Sequence, residues 1–272
     1  YSTYFYFNIS DTHIRKEILE EFQSQVREEL LAPLEEEVEA KYNVRINCAK
    51  DLLIEGDLNF SCMPKFLGEL VTSNKENLRY IGPAYRDESV ACETIATDLA
   101  FGEHDRIIYV SLGTTEPNIG GFWFYDTIIE ALKDTEHKVL ISAAMGKDKE
   151  LIAKGLPKNI VVKSCVPQIK VLERSKLFIS HVGSGGFMEA LSKGVPILAA
   201  PNFGDQPINA GLVEKLGVDK YIKGKSVESV RKLVTGVLES EAIKGNCEKY
   251  MKIIDPEGSK ATVIKIVNSM MM

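Results

Sequence analysis

The sequence predicts an α/β fold in which a parallel sheet is covered by helices on both faces. After residue 105, apolar runs of strand length alternate with helical patterns. The runs are continuously apolar rather than alternating between apolar and polar residues. Strands that are buried on both faces have this composition. Ligands bind such sheets at the carboxyl ends of the strands, so the residues that follow each predicted strand are the candidates for function.

The first part of the chain predicts a smaller and more charged unit. Residues 11–42 carry apolar residues at a spacing of four, which predicts one helix, or two helices broken near Pro33. Short strands are predicted at 58–62 and 78–82. The segment "GPAYRDES" at 82–89 has Gly and Pro together and then polar residues, which is typical of a linker.

After this linker, strands and helices follow one another in regular order. The predicted strands are 106–113, 137–144, 159–166, 176–181 and 195–201. The predicted helices are 122–134, 169–175, 186–194 and 205–217, and helical patterns fill most of 226–269. The strand ends that could hold a ligand are 111–115, 165–168, 181–186 and 202–206.

The bulk composition excludes several classes of function. The 272 residues carry a formal net charge of -6 and have a pI near 5.5, which argues against nucleic acid or an anionic membrane as the main partner. The five cysteines form no CxxC pair, so we expect no zinc site, no disulfide framework and a reducing, cytoplasmic location. No apolar run reaches the roughly 18 residues that span a bilayer.

The stretch "SHVGSGGFMEA" (180–190) places a histidine and a glycine-rich turn between a predicted strand and a predicted helix. Free backbone N–H groups and the positive end of the helix dipole make such a turn an anion site. The turn Gly183–Gly186 lets a phosphate approach the backbone, and Ser184 and His181 add side-chain donors. Glu189, one turn into the helix, is placed to accept hydrogen bonds from ribose hydroxyls.

Two enzymatic motifs do not fit this stretch. A dinucleotide-binding GxGxxG fingerprint would need a glycine at Met188. A nucleophile elbow, GxSxG, would need one more residue between Gly183 and Ser184. A tight strand-to-helix turn with a buried histidine stays open as the alternative to an anion site.

The stretch "NFGDQP" (202–207) places an acid and an amide at the start of a predicted helix. The carboxylate of Asp205 and the amide of Gln206 together offer acceptors and donors that suit the vicinal hydroxyls of a sugar. The structural alternative is that Asp205 caps the helix and that Pro207 marks its first turn.

Two further strand ends carry weaker signals. "SLGTTEP" (111–117) follows a strand with glycine and hydroxyl residues, which suits a second wall around a phosphate. "VPQ" (166–168) ends a strand with a proline and a long amide, so the Val166 backbone and the Gln168 side chain are placed to meet a base or a ribose edge.

Taken together, these stretches resemble the nucleotide-sugar donor domain of family 1 glycosyltransferases, with the closest resemblance to bacterial macrolide-type UDP-glycosyltransferases. The resemblance covers about residues 78–269 and rests on "SLGT" and on "CVPQIKVLERSKLFISHVGSGGFMEALSKGVPILAAPNFGDQPINA". It implies a GT-B fold, with a Rossmann-like donor domain around a parallel sheet and a partial acceptor domain. It also implies a UDP-sugar as co-substrate without a further cofactor, a small-molecule acceptor and no metal.

The resemblance implies roles for individual residues as well. The diphosphate would lie at the glycine-rich turn, the ribose hydroxyls at Glu189, the donor sugar at the "DQP" motif and the base beside "VPQ". The implied donor-binding residues are Ser111, Gly113, Thr114, Val166, Gln168, His181, Gly183, Ser184, Gly185, Gly186, Glu189, Asp205 and Gln206.

The sequence departs from the family pattern in three places. Cys165 stands where many relatives have an aromatic residue that stacks on the base, so the identity of the base stays open. Val182 stands at the second glycine of an "HGG" motif, and Gly185-Gly186 replaces an Asn-Ser pair. Because the backbone donors remain, we expect the glycines to provide more of the phosphate contacts here.

The resemblance divides the chain into four parts. We expect a partial acceptor domain at 1–84, a linker at 85–104, the donor-binding domain at 105–254 and a C-terminal helix at 255–272. Relatives carry a catalytic histidine and an aspartate on a stretch that would precede Tyr1, and His13 matches no catalytic position. We therefore expect nucleotide binding, with little or no transfer unless an N-terminal half is supplied.

The implied activity is an inverting transfer of a hexose from a UDP-sugar to a hydroxyl of a small lipophilic acceptor. One alternative is a catalytically incompetent or split subunit that binds nucleotide-sugar, which the departures at Cys165 and Val182 favour. A further alternative is a UDP-N-acetylglucosamine 2-epimerase, which has a similar phosphate turn. The "DQP" and "VPQ" motifs favour the transferase.

Overall fold

In the computed structural model, the chain divides into two compact units, Tyr1–Gly82 and Pro83–Met272. The structure describes residues 32–43, 59–70, 78–83, 101–102, 105–113, 123–143, 146–202, 205–222, 226–254 and 256–270. Most of the segment expected to be a linker, and the first part of the helix expected from residue 11, lie outside the described residues. The roles assigned to the four parts of the chain stay predictions.

The first unit contains a small parallel pair of strands. Its described elements are α1 (Ala32–Tyr42), β1 (Asn59–Ser61), α2 (Lys65–Gly68) and β2 (Leu78–Tyr80). The two predicted strands pair in parallel, with Phe60 opposite Arg79. Met63, which follows β1, and Leu67 of α2 are buried.

The second unit alternates strands and helices along the chain. Its strands are β3 (Ile107–Ser111), β4 (Lys138–Ser142), β5 (Ile160–Lys163), β6 (Ser175–Ser180), β7 (Ile197–Ala199) and β8 (Asp219–Tyr221). Its described helices are α3 (Trp123–Leu132), α4 (Lys147–Ala153), α5 (Gln168–Glu173), α6 (Ser184–Ser192), α7 (Gln206–Leu216), α8 (Val227–Leu238), α9 (Glu241–Ile253) and α10 (Pro256–Met270). All five predicted strands are present.

The six strands form one parallel sheet in the order β5-β4-β3-β6-β7-β8. From β3 the chain builds outward through β4 to β5, then crosses back and builds outward on the other side from β6. The direction of winding therefore reverses between β3 and β6, where Ser111 lies opposite Ser180. A crevice at the carboxyl ends of two such strands is where open α/β sheets bind ligands.

The sheet is buried on both faces, as its continuous apolar composition predicts. Every residue of β3 is buried, and β6 is buried from Leu177 to Ser180. At the centre, the rings of Tyr109 and Phe178 stack with their centroids 4.9 Å apart. Burial on this scale fixes the two central strands rigidly, and with them the residues that follow each strand.

Two elements of the second unit were not expected from the sequence. α4 has a mostly charged sequence in which Leu151 is the buried apolar residue, so its apolar pattern is too sparse to predict a helix. β8 is a three-residue strand of sequence DKY whose pairing with β7 is decided by the sheet edge rather than by its own composition. Among the described residues, no helix combines the length and the apolar character needed to cross a bilayer.

Candidate functional site

The two central strands end in the same way, and this aligns the residues that follow them. The Ser111 hydroxyl accepts a hydrogen bond from the Gly113 N–H at 3.2 Å. The Ser180 hydroxyl accepts one from the Val182 N–H at 3.0 Å. Each serine thus closes a short turn with its own backbone. Ser111 and Ser180 are opposite one another in the sheet, so both turns open at the same point of the carboxyl edge.

His181 lies between two glycines at this point. A β-carbon on Gly113 would lie 2.8 Å from His181 Cε1, and one on Gly183 would lie 2.6 Å from His181 Nε2. Gly113 also has a φ of +83°, a conformation that other residues rarely adopt. The imidazole therefore depends on the absence of side chains at both positions. Sequence alone indicated glycine as access for a ligand; the structure adds that two of these glycines make room for His181.

The charge of His181 follows from its surroundings. Burial lowers the pKa of His181, and the Ser111 backbone and the Asp205 carboxylate offset part of this effect. A neutral imidazole carries one N–H donor and one acceptor nitrogen. His181 is therefore suited to donate one hydrogen bond to an anion at the strand end while remaining uncharged itself.

The helix after His181 begins two residues earlier than the sequence predicted. α6 starts at Ser184 with Gly183 as its N-cap, so Gly185 and Gly186 form its first turn rather than a loop before it. Glycine is a weak helix former, which hides the start of the helix in the sequence. Gly185 and Gly186 thus lie in a first helical turn, where N–H groups have no partner within their own helix and can bind an anion. A β-carbon on Gly185 would meet nothing within 4 Å.

Asp205 caps this helix from a different part of the chain. Its Oδ2 accepts hydrogen bonds from the Ser184 N–H at 3.2 Å and from the Ser184 hydroxyl at 2.5 Å. The Asp205 side chain makes no capping hydrogen bond to α7, the helix that it precedes. The capping alternative from the sequence is thus present in a modified form, because the acid caps α6 instead of its own helix.

Asn209 holds the same cluster together, and the sequence reasoning missed it. Its side chain is fully buried, with 0% exposed. The two hydrogens of its Nδ2 amide are shared among three acceptors, which are Asp205 Oδ2 at 2.9 Å, the Val182 carbonyl at 2.9 Å and the Ser184 hydroxyl at 3.2 Å. The available signal was its spacing, since residues four apart lie on the same face of a helix and Asn209 is four residues after Asp205.

Asn209 also supports an unusual backbone conformation. Val182 has a φ of +56° although it is β-branched and fully buried. A left-handed conformation of this kind costs about 1–2 kcal/mol in an L-residue and persists where neighbours fix it. Its N–H is held by Ser180 and its carbonyl by Asn209. Val182 therefore keeps this conformation at the expense of backbone strain.

Replacing Asn209 with alanine is expected to lower the free energy of unfolding by about 2–3 kcal/mol, because several buried polar groups lose their donor at once. Urea titration measures this. The matched control is Asn246→Ala. Within the described part of the chain the Asn246 side chain makes one hydrogen bond, from Nδ2 to the Gly217 carbonyl at 3.0 Å, so this substitution should cost about 1 kcal/mol. Equal losses in the two variants would contradict the role of Asn209 as the centre of the cluster.

Gln168 and Glu189 form the second side of the site. Gln168 Nε2 donates to Glu189 Oε2 at 2.6 Å, which joins the start of α5 to the second half of α6. Val166 is buried and Cys165 is exposed. The thiol is thus at the surface of this edge, at the position where the resemblance led us to expect an aromatic residue.

The remaining expected residues are only partly brought into the cluster. Gln206 is buried, and its Oε1 accepts a hydrogen bond from the Asn202 N–H at 2.7 Å, so its amide closes the turn that carries Asp205. Thr114 lies outside the described residues. The rest of the expected set lies at the carboxyl ends of β3, β5, β6 and β7. Within the described part of the chain, no group of three or more His, Cys, Asp or Glu residues could hold a metal ion.

The chain is similar in sequence to known glycosyltransferases. The family model described as UDP-glucoronosyl and UDP-glucosyl transferase matches residues 74–255. The NDP-glycosyltransferase YjiC of Bacillus subtilis is 28% identical over 214 residues, which are 77% of this chain and 52% of that protein. The oleandomycin glycosyltransferase of Streptomyces antibioticus is 32% identical over 121 residues, which are 43% of this chain and 27% of that protein. The chain spans about half the length of the curated Bacillus relatives that it matches.

Solved structures show the same fold. The glycotransferase of kitacinnamycin superposes with a TM-score of 0.66 at 21% identity, over 94% of this chain and 66% of that one. CalG4, the calicheamicin glycosyltransferase, gives a TM-score of 0.65 at 18% identity, over 95% of this chain and 64% of that one. These likenesses confirm the fold class expected from the sequence, GT-B with a Rossmann-like parallel sheet.

Proposed function

The chain belongs to the UDP-glucoronosyl and UDP-glucosyl transferase family, and from this premise we propose that the unit Pro83–Met272 binds a UDP-sugar at the carboxyl ends of β3 and β6. The protein would then transfer the hexose to a hydroxyl of a small lipophilic acceptor. The observation that carries the proposal is the glycine-rich first turn of α6 beside His181, at the point where the winding of the sheet reverses.

The diphosphate would lie against the first turn of α6. Helix N-termini attract anions through unpaired N–H groups and the helix dipole. His181 would add a neutral donor, and the open space beside Gly185 is where a phosphate oxygen would approach the backbone. Ser111 and Gly113 would form the facing wall.

The nucleoside would lie on the side of Gln168 and Glu189. The carboxylate of Glu189 suits the two neighbouring ribose hydroxyls, because a carboxylate has two oxygens that accept in parallel. The Gln168 amide and the Val166 backbone would flank the base.

The donor sugar would lie against Asp205. Every hydrogen bond that the described residues make to its carboxylate falls on Oδ2. Oδ1 would therefore accept from a sugar hydroxyl while Oδ2 stays bound to Ser184 and Asn209. Gln206 would hold the turn that presents Asp205, through its bond to the Asn202 N–H.

The proposed reaction is a single displacement. The acceptor oxygen forms a bond to the anomeric carbon as the bond from that carbon to the diphosphate oxygen breaks, so the configuration inverts. The acceptor proton passes to a base, and UDP leaves with the electron pair. The N-terminus of α6 and His181 would stabilise the negative charge that grows on the diphosphate, as fixed dipoles do at other developing charges.

Titration calorimetry with UDP tests the donor site. We expect binding with a Kd below about 1 mM, and absence of binding at millimolar UDP by a chain shown to be folded would refute the site. Release of UDP from UDP-glucose in the presence of a phenolic acceptor tests transfer. Conversion of one UDP-sugar into another without any acceptor would instead indicate an epimerase.

Replacing Cys165 with tryptophan is expected to tighten UDP binding about tenfold, because stacking of a base on an aromatic ring contributes about 1–3 kcal/mol. Cys165 is exposed, so the larger side chain does not have to enter the core. Calorimetry of both proteins with UDP and with inorganic pyrophosphate makes the comparison. Stronger binding of pyrophosphate as well would contradict a contact with the base.

A further inference from the structure

Tyr109 connects the centre of the sheet to the proposed nucleoside side of the site. It lies in the middle of β3 with 1% of its surface exposed. Its hydroxyl donates to Gln168 Oε1 at 3.0 Å, and Gln168 Nε2 donates to Glu189 Oε2 at 2.6 Å. The three side chains form one hydrogen-bonded chain from a buried strand to the carboxylate on α6.

The direction of the hydrogen bonds that join Tyr109, Gln168 and Glu189 is fixed by the chemistry of these groups. An ionised carboxylate accepts hydrogen bonds and donates none. The NH₂ group of Gln168 must therefore face Glu189, which leaves the amide oxygen facing Tyr109. The phenol must donate to that oxygen, so only one orientation of the Gln168 amide satisfies both neighbours.

Tyr109 is suited to hold that orientation because it has little freedom of its own. Its ring stacks on Phe178 with an interplanar angle of 6°. Burial raises the pKa of Tyr109, and the Ser111 and Ser142 side chains offset only part of this effect, so the phenol keeps its proton and stays a donor. The Gln168 amide also packs over Gly186, where a β-carbon would lie 3.5 Å from Nε2.

We propose that Tyr109 is a positioning residue that fixes the Gln168 amide and, through it, the Glu189 carboxylate for two neighbouring ribose hydroxyls, so that it sets the preference for ribonucleotides over 2′-deoxyribonucleotides. This proposal rests on the proposed function. Glu189 would bind the ribose hydroxyls, and Tyr109 would fix the position of the Glu189 carboxylate through Gln168.

The test is Tyr109→Phe, which removes one hydroxyl and keeps the stacked ring. Calorimetry compares UDP with 2′-deoxy-UDP for the wild-type chain and the variant. We expect the wild-type chain to bind UDP more tightly than 2′-deoxy-UDP. We expect the variant to bind UDP about tenfold more weakly than the wild-type chain does, because it lacks one hydrogen bond in a series that ends on a charged group. The affinity for 2′-deoxy-UDP should change much less, so the ratio of the two should fall. A purely structural role would weaken both ligands equally and leave the ratio unchanged.

Two controls separate the possible results. Tyr250→Phe removes the same hydroxyl from α9 and should leave both affinities at their wild-type values. In an E189Q background, Tyr109→Phe should cost little further UDP affinity, because residues that act through one network are not additive. If the phenylalanine variant does not fold, Gln168→Leu removes the hydrogen bonds to both Tyr109 and Glu189. This substitution should also lower the ratio of the affinity for UDP to the affinity for 2′-deoxy-UDP.

The outcomes distinguish the two proposals. A folded wild-type chain that binds neither nucleotide overturns the proposed function, and the inference about Tyr109 with it. A wild-type chain that prefers UDP, together with a variant that keeps the full preference, overturns the role of Tyr109 alone.

Discussion

Replacing Gly185 with valine is expected to abolish UDP binding and to leave the fold intact. Gly185 is exposed in the first turn of α6, and a β-carbon there would meet no atom within 4 Å. The chain itself therefore accommodates the side chain, and valine is a better helix former than glycine. A diphosphate at the helix N-terminus would have to occupy the same space. Loss of two or three hydrogen bonds to a charged group should raise the Kd for UDP by at least about a hundredfold.

Gly236→Val is the matched control. Gly236 is also exposed within a helix, α8, and a β-carbon there would likewise meet nothing within 4 Å. Both variants should unfold at the wild-type temperature in a thermal melt. Only the change at Gly185 should eliminate the calorimetric signal of UDP binding. Normal UDP binding by the Gly185 variant would contradict a phosphate site at the first turn of α6.

The largest effect on stability is expected at Asp219, far from the proposed chemistry. Asp219 begins β8 with 7% of its surface exposed, and neither carboxylate oxygen has a hydrogen-bond partner among the described residues. Burial, reinforced by Glu214 and opposed by Lys220, raises the pKa of Asp219 to about 8. An unpaired buried carboxylate is costly, so the folded chain retains the proton.

This raised pKa makes stability fall as the pH rises. Below about pH 4 the carboxyl is protonated in both the folded and the unfolded chain. Between about pH 4 and pH 8 the unfolded chain releases the proton and the folded chain keeps it, so each pH unit favours unfolding by about 1.4 kcal/mol. Above pH 8 both forms are ionised and the loss is complete.

Asp219→Asn should therefore be more stable than the wild-type chain by about 4 kcal/mol at pH 7 and nearly equal to it at pH 4. Urea unfolding across this range measures the difference, which cancels the titration of all other groups. Asp126→Asn is the control, because Asp126 forms a surface ion pair with Lys154 at 2.8 Å and such pairs contribute about 0–1 kcal/mol. A difference in the free energy of unfolding between the Asp219 variant and the wild-type chain that does not change with pH would show that the Asp219 carboxylate has a partner.

Five of the six strands of the second unit, β3 to β7, could be predicted from sequence because their apolar runs are largely buried in the sheet. Continuous apolar runs such as 107–110 are typical of strands that are covered on both faces, and their burial in β3 is complete. Composition did not predict α4 and β8, because most of their residues are charged. Contacts with the neighbouring strand or helix, rather than their own composition, stabilise these two elements.

The candidate site was predicted in its parts but not in its connections. The sequence placed His181, Asp205 and Gln168 at strand ends, and parallel strands bring their carboxyl ends to one edge. It gave no sign that Asp205 would cap α6 or that Tyr109 would donate to Gln168. These contacts join residues 21 and 59 positions apart, so no local pattern encodes them, whereas the four-residue spacing of Asp205 and Asn209 was a local signal that was missed.

The sequence by itself determined the fold class and the family to which the chain belongs, and it predicted the edge of the sheet that carries the candidate site. These features depend on local composition and on motifs that keep their spacing. Only the tertiary structure decided how the site residues hold one another: His181 between two glycines, Asp205 between Ser184 and Asn209, and Glu189 beneath the amide of Gln168. Hydrogen bonds and close contacts depend on distances of a few ångströms between distant segments, and those distances exist only once the sheet has formed.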